Sequence, residues 1–402
     1  MLRVLTLATL FPDATRPNFG IFVERQTRGL AAHPGVEVQV VAPIGLPAWP
    51  FCTLKRFRAF SEVPDHEEWR GLSVHRPRFL TVPGAGGRFH VGALVHRLRP
   101  LLAEIRSRFP FDVIDAEFFF PDGPAAVALG AELGVPVSVK ARGADIHKWG
   151  HEPGVGVQVR GAGRRADGLL AVSGAMREDM AAIGLPRERI RVHQTGVDQD
   201  IFVPQDRAAA KRAWDVSGPL VVSVGALIAR KGHQVVIEAV ARLPGVSLLI
   251  AGQGEERAAL EALIDRLGVG DRVRLLGPVR HGDLPALFAA ADVMALASAS
   301  EGLANAWVEA LACGTPIVIT EAGGAREVLT DPAYGRIAER SADGFARAIA
   351  ELLSNPSPQE AVRRGAARFT WAANTAALVE HLSALVEARR SRCDAGNAQL
   401  CG

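Results

Sequence analysis

The chain has 402 residues, 48% of them hydrophobic, and a formal net charge of +3. That length suggests two or three domains, each able to bury a substantial core. The near-neutral charge leaves no electrostatic footprint for a nucleic-acid partner, and the glycines and prolines are spread out, which argues against disorder.

Four cysteines, Cys52, Cys313, Cys393 and Cys401, share no metal-ligand or thioredoxin-type spacing. Scattered in a chain this long, they predict a reduced, cytoplasmic protein. The opening run Met1 to Ala8 meets Phe11-Pro12-Asp13 without a basic start or a small-residue cleavage site, so it is not read as an export signal. No apolar run of about 20 residues predicts a membrane span.

Short apolar runs alternate with helix-period segments from end to end. In the first half, strands are predicted at Leu2–Ala8, Val36–Ala42, Asp112–Asp115, Val135–Lys140 and Gly168–Val172, with helices at Ile21–Ala32 and Ala175–Ile183. Several strands are unbroken Val/Ile/Leu stretches, the signature of a parallel sheet covered on both faces. Arg76–Arg108 mixes arginine and histidine with Phe79, Leu80, Val91, Leu94, Leu98 and Leu101, and carries a single acid, Glu104. It suits an anionic lipid surface, although a solvated basic face is the more ordinary reading. Asp115-Ala-Glu117-Phe118-Phe119-Phe120-Pro-Asp122 follows a strand; its acids and aromatics suit a sugar-acceptor site and equally well a core.

The alternation restarts near Pro219, after a polar helical stretch at Asp206–Ala213. Strands follow at Leu220–Val224, Val246–Ala251, Val273–Leu276, Asp292–Ala295 and Pro316–Ile319. Helices follow at Gln234–Arg242, Glu255–Leu267, Leu284–Ala290 and Ala304–Cys313. A final helix at about Ala372–Arg390 is long for the second domain and is expected to cross back to the first, with a frayed tail after Arg390. The fold class is therefore α/β, with two Rossmann-like doubly wound domains whose strand C-ends face a cleft. The boundaries are drawn as 1–203, 204–375 and a terminal segment 376–402.

Three elements of the second half carry chemistry. Strand Leu220–Val224 runs into Gly225 and a loop ending in Arg230-Lys231-Gly232, where paired cations suit a diphosphate. Val273 to Arg280 is a strand leading into a loop that suits a nucleobase through its backbone near Val279. Ser300 to Glu309 places one glutamate, Glu301, before a helix and the other, Glu309, inside it. The helix-start amides near Gly302 and Leu303 suit a phosphate, Glu309 a ribose and Glu301 a sugar ring. Singly, each has a bland counterpart: a basic turn, a strand end, a surface helix. Their occurrence in order, each at the C-end of a predicted strand, favours the functional reading.

With these stretches the chain resembles the retaining GT-B glycosyltransferases of family four. The resemblance also rests on Ile250-Ala251-Gly252-Gln253-Gly254, Ala312 to Val318 and Gly323-Gly324-Ala325-Arg326-Glu327. It implies that Glu309 binds ribose, that Glu301 faces the donor sugar and that Arg230 and Lys231 hold the diphosphate. One departure stands out: many members read Val-Gly-Arg-Leu where this chain has Val224-Gly225-Ala226-Leu227, so Arg230 substitutes from the same loop. In the first half the resemblance places Gly20 near the donor phosphate. It places Arg142, where the family often has histidine, beside Asp145 on the acceptor side; His147 stands nearby but out of register.

Glu117 completes the acceptor-side set. Asp198-Gln199-Asp200 is read as a linker, not a metal site, and no cofactor is expected because the nucleotide-sugar is itself a substrate. Gly252-Gln-Gly254 is a weak nicotinamide signature, since Arg257 takes the third glycine position.

The implied activity is sugar transfer from a UDP- or GDP-sugar to a glycan or lipid-linked acceptor in polysaccharide or cell-envelope synthesis. It is expected in the cytoplasm, with peripheral membrane contact through 76–108. The alternatives are a GT-B sugar-nucleotide epimerase and a nicotinamide-dependent oxidoreductase.

Overall fold

The computed structural model describes residues 1–82 and 84–400. The chain divides into two compact units, Met1–Gln194 with Trp371–Gly402, and Thr195–Thr370.

The first unit holds strands β1 (Leu2–Leu7), β2 (Val36–Val41), β3 (Ile44–Pro47), β4 (His66–Trp69), β5 (Leu72–His75), β6 (Arg78–Thr81), β7 (Val113–Ala116), β8 (Val137–Ala141), β9 (Gly168–Ala171) and β10 (Ile190–Val192). Eight of them form one sheet in the order β10-β9-β8-β7-β1-β2-β5-β4, parallel except for the β4–β5 hairpin, and β3 and β6 pair separately. β7, β8 and β9 are buried along their whole length. Helices cover both faces, as unbroken apolar strands require.

The last helix, Trp371–Leu400, belongs to this unit. Its Leu378, Leu382 and Val386 pack against Val4, Leu30, Val113 and Leu170. The tail expected to fray after Arg390 continues this helix to Leu400; Cys401 and Gly402 lie outside the described residues.

The second unit is a six-stranded, wholly parallel sheet: β11 (Leu220–Val224), β12 (Ser247–Ala251), β13 (Val273–Gly277), β14 (Val293–Leu296), β15 (Ile317–Ile319) and β16 (Gly335–Ile337), in the order β13-β12-β11-β14-β15-β16. The order reverses beside β11, between β12 and β14, and ligands of doubly wound sheets sit at the C-ends of such strands. The segment after Gln194 joins this unit because Val197 donates to the Phe369 carbonyl and Phe202 packs against Phe288. That moves the start of the unit about ten residues ahead of Pro204.

Close backbone approach shapes the C-ends of β11 and β12. Gly225 N donates to the Ala251 carbonyl at 3.0 Å and Gly252 N to the Gly277 carbonyl at 2.8 Å. A Cβ on Gly252 would be driven into the Gly225 carbonyl. Gly252→Ala is therefore expected to cost about 1–3 kcal/mol in thermal or denaturant unfolding. Gly270→Ala, whose nearest neighbour is Ile264 at 3.8 Å, is the near-neutral control.

Candidate functional site

In the second unit the loop after β11 brings two cations against one carboxylate. Lys231 Nζ lies 2.5 Å from Glu301 Oε1, and Arg230 Nη1 lies 3.6 Å from Glu301 Oε2. Ser298 Oγ also donates to Glu301 Oε1 at 2.6 Å. Arg230 bonds the Ser300 carbonyl, and Ala299 N returns a bond to the Arg230 carbonyl at 2.8 Å. The β11 loop and the segment after β14 are thus laced together. Burial alone would raise the Glu301 carboxyl, but Lys231, Arg230 and the two hydrogen bonds outweigh it and hold it below its ordinary value. Glu301 stays charged, two cations face one anion, and the cluster keeps one surplus positive charge.

Gly225 lies beside this cluster, its Cβ position 3.7 Å from the Lys231 stem. Gly302 and Leu303 are buried, and the Gly302 carbonyl accepts from Gly324 N at 2.8 Å. Gly323 has a positive φ of 52°, and a Cβ there would enter the Glu301 and Gly302 carbonyls. The glycine pair thus lets this loop close over the glutamate.

Glu309 stands in the second turn of the helix Asn305–Ala312, as the spacing implied. Its Oε1 is bonded by His281 Nε2 at 2.8 Å, and Phe202 meets the His281 ring edge-on at 5.2 Å. Among the described residues its Oε2 has no protein partner. Val279 lies two residues ahead of His281 in the loop after β13. The structure therefore joins Lys231, Arg230 and Glu301 in one bonded cluster and Glu309 with His281 in another. His281 and Ser298 were missed from sequence; a lone histidine and a lone serine carry no pattern of their own.

In the first unit, Gly20 has φ 69° at the start of the helix Ile21–Ala32, and a Cβ there would enter the Leu10 carbonyl. Arg142 follows β8 and Glu117 follows β7. They form an ion pair, and Arg142 Nε donates to the Glu117 carbonyl at 2.7 Å. Burial alone would raise the Glu117 carboxyl, but Arg142 and Lys140 pull it down to about 2. The acceptor-side set is not wholly gathered. Asp145 is fully buried and accepts from the amides of Phe119, Arg142 and Gly143 at 2.7–3.0 Å. It braces the loop instead of facing a ligand. His147 turns away to Asp179, at 2.8 Å. Phe119 and Phe120 are core residues.

The segment 76–108 gives the lipid-surface expectation no support from its most apolar residues. Arg76 is buried against Glu67 and the Pro12 carbonyl, and Phe79, Leu94 and Leu98 are core. Of the other apolar residues on which that expectation leaned, Leu80 is exposed and Val91 and Leu101 are half-buried. No helix among the described residues is long and apolar enough to cross a membrane.

Asp122, in the first turn of the helix Asp122–Leu133, accepts from Thr9 N at 2.8 Å. Burial pushes its carboxyl up to about 8, with the nearby Asp145 and Glu117 adding to the rise. A carboxyl raised on folding contributes stability that is full below the unfolded value of 3.8 and lost as pH rises through about 8. Asp122→Asn, neutral throughout, is expected to gain melting temperature relative to the native chain between these limits and to level off above them.

Residues 204–369 match the family of glycosyl transferases group 1, and residues 20–196 match the glycosyl transferase 4-like domain. The D-inositol 3-phosphate glycosyltransferase of Mycobacterium tuberculosis (strain ATCC 25618 / H37Rv) is 37% identical over 217 residues, which is 50% of this chain and 45% of that protein. The chain thus spans about half the length of the curated relatives it matches. Among solved structures, sucrose-phosphate synthase from Thermosynechococcus elongatus superposes with a TM-score of 0.80 at 19% identity, covering 96% of this chain and all of that one. Anabaena HepE in complex with UDP gives 0.73 at 20% identity over the same shares. These two establish likeness of fold, a GT-B pair of parallel α/β domains.

Proposed function

The chain belongs to the group 1 glycosyl transferases, and from that premise we propose that it is a glycosyltransferase that moves a sugar from a UDP- or GDP-sugar to a glycan or lipid-linked acceptor with retention of configuration. The observation that carries the reading is the Arg230–Lys231–Glu301 cluster at the C-ends of β11 and β14, with Glu309 in the helix that follows.

The cluster's surplus positive charge suits a diphosphate. As the sugar–phosphate bond breaks, charge builds on the departing oxygen, and cations already fixed in place stabilise it without reorganising. Arg230 reaches Glu301 from the loop whose usual arginine is Ala226, which supports its part in the clamp. Glu309 keeps Oε2 for ribose hydroxyls while His281 orients the carboxylate through Oε1. Retention follows if the acceptor hydroxyl attacks from the face the diphosphate leaves, with the donor phosphate taking its proton. No cofactor is needed for this, and protein cations take the charge-stabilising part. Cell-envelope or polysaccharide assembly in the cytoplasm is the setting that suits such donors and acceptors.

A second acceptor reading, a phosphorylated polyol, is favoured by the name of the 37% identical relative and by an arginine on the acceptor side.

Thermal-shift binding of UDP, GDP, ADP and NAD, followed by NMR of the anomeric centre in the product, tests the proposal. A uridine or guanosine diphosphate is expected to raise the melting temperature, and the product should keep the donor's configuration. Stabilisation by NAD alone would move the chain to redox chemistry, and an inverted product would remove the retaining mechanism.

A further inference from the structure

A group of ionisable side chains is shut away at the carboxyl ends of β7 and β8. Asp115, Glu117, Lys140 and His193 are each at most 3% exposed, and Arg142 is little more so. Burial pushes the Asp115 carboxyl well up, and the Glu117 carboxylate beside it adds to the rise, against the pull of Lys140 and Arg142. Burial likewise brings His193 down to about 3. Its Nε2 donates to the Asn374 carbonyl at 2.8 Å, which leaves Nδ1 an acceptor. His381, from the helix Trp371–Leu400, is neutral too, brought by burial to about 4. Glu117 pairs with Arg142, and among the described residues no carboxylate is hydrogen-bonded to the Lys140 amine.

Keeping such an amine is costly. A methionine would fill much the same volume with no charge to desolvate. What the amine does is donate to Gln26 Oε1 at 2.6 Å and to His193 Nδ1 at 2.7 Å. That fixes which way the Gln26 amide points. Its Nε2 then donates to Glu117, and its Oε1 also accepts from Arg142 Nη2 at 3.4 Å. Arg142 is held further by Glu117 and lies over the Phe22 ring at 4.8 Å. Among the described residues its Nη1 has no protein partner, so this edge of the fork faces whatever binds. Resting on the glycosyltransferase reading above, we propose that Lys140 is a positioning residue of the reaction, holding the Arg142 guanidinium in place through Gln26.

Burial, with Arg142 adding to it, lowers the Lys140 amine from 10.5 to about 7, against the pull of Glu117 and Asp115. The unfolded chain takes up this proton below about 10.5 and the folded chain only below about 7, so the penalty grows as pH falls between them and is constant below.

The test uses the full chain and two variants, Lys140→Met and Gln26→Leu. It reads melting temperature, UDP affinity, UDP release from UDP-glucose, and the Nε–H signal of Arg142 by nitrogen-15 NMR. Lys140→Met is expected to melt roughly 2–4 °C higher at pH 7, with the gap closing toward pH 10.5. UDP affinity should hold, UDP release should fall roughly 100-fold, and the Arg142 signal should lose its protection in both variants. Native release, or a protected Arg142 signal, would overturn the proposal. So would a melting temperature that drops together with activity, the mark of a merely structural lysine. If the native chain neither binds UDP nor turns over UDP-glucose, the donor assignment is what fails, and the Arg142 signal still decides the role of Lys140.

Discussion

Lys231→Ala is expected to lower donor turnover by about 10²–10³-fold, equivalent to roughly 3–4 kcal/mol of lost transition-state stabilisation. The lysine is only 15% exposed and lies 2.5 Å from Glu301. Its charge therefore acts at short range with little solvent between. Because negative charge on the diphosphate grows as the sugar leaves, the loss should appear in kcat more than in KM. The substitution also removes the strongest cation holding the Glu301 carboxyl down. Burial then dominates, and a new pH dependence should emerge as that carboxyl rises. Steady-state kinetics with a melting control separates this from unfolding.

Glu309→Ala has the second-largest expected effect and the opposite kinetic form. Ribose is gripped equally in the ground state and in the transition state, so KM for the donor should rise about 10–100-fold, with kcat nearly unchanged. That is about 1.5–3 kcal/mol, the range for a hydrogen bond to a charged group. The change also strips His281 of its carboxylate partner. Glu309→Gln, which keeps an acceptor oxygen, should recover part of the affinity. A fall in kcat at constant KM would instead assign Glu309 to the chemical step.

The two sheets were readable because their strands are continuous apolar runs: Leu220–Val224 and the helix Ile21–Ala32 fall where the periodicity puts them. The hairpin of β4 and β5 was not readable. Its two turn residues, Arg70 and Gly71, both have positive φ, of 51° and 83°, and arginine is a poor signal for such a turn. β16 has only three residues and is held by its neighbour β15, so it carries no periodicity of its own. The residues proposed for the donor were visible as motifs because their spacing places them at or just after strand ends. Gln26 and His193 were not, since α-helical and post-strand polar residues far apart in sequence meet only when β7 and β8 bring Glu117 and Lys140 side by side.

The two charged clusters differ in their physics. Around Glu301 the cations outnumber the carboxylate, and the cluster keeps partial contact with solvent through Arg230, which is 36% exposed. Around Lys140 the groups are closed off, and burial decides which of them are charged. The first keeps a surplus positive charge, which suits an anion. The second fixes the direction of one guanidinium.

In the proposed mode the second unit grips a nucleoside diphosphate with Lys231 and Arg230 on the phosphates and Glu309 on the ribose. The most direct test of this mode is a crystal structure of the full chain with the nucleoside diphosphate that stabilises it most. Phosphate oxygens are expected within about 4 Å of Lys231 Nζ and the Arg230 guanidinium, the reach of an ion pair, with ribose hydroxyls donating to the Glu309 carboxylate. A nucleotide bound elsewhere, with Lys231 still closed on Glu301 and Glu309 touching only His281, would contradict this mode.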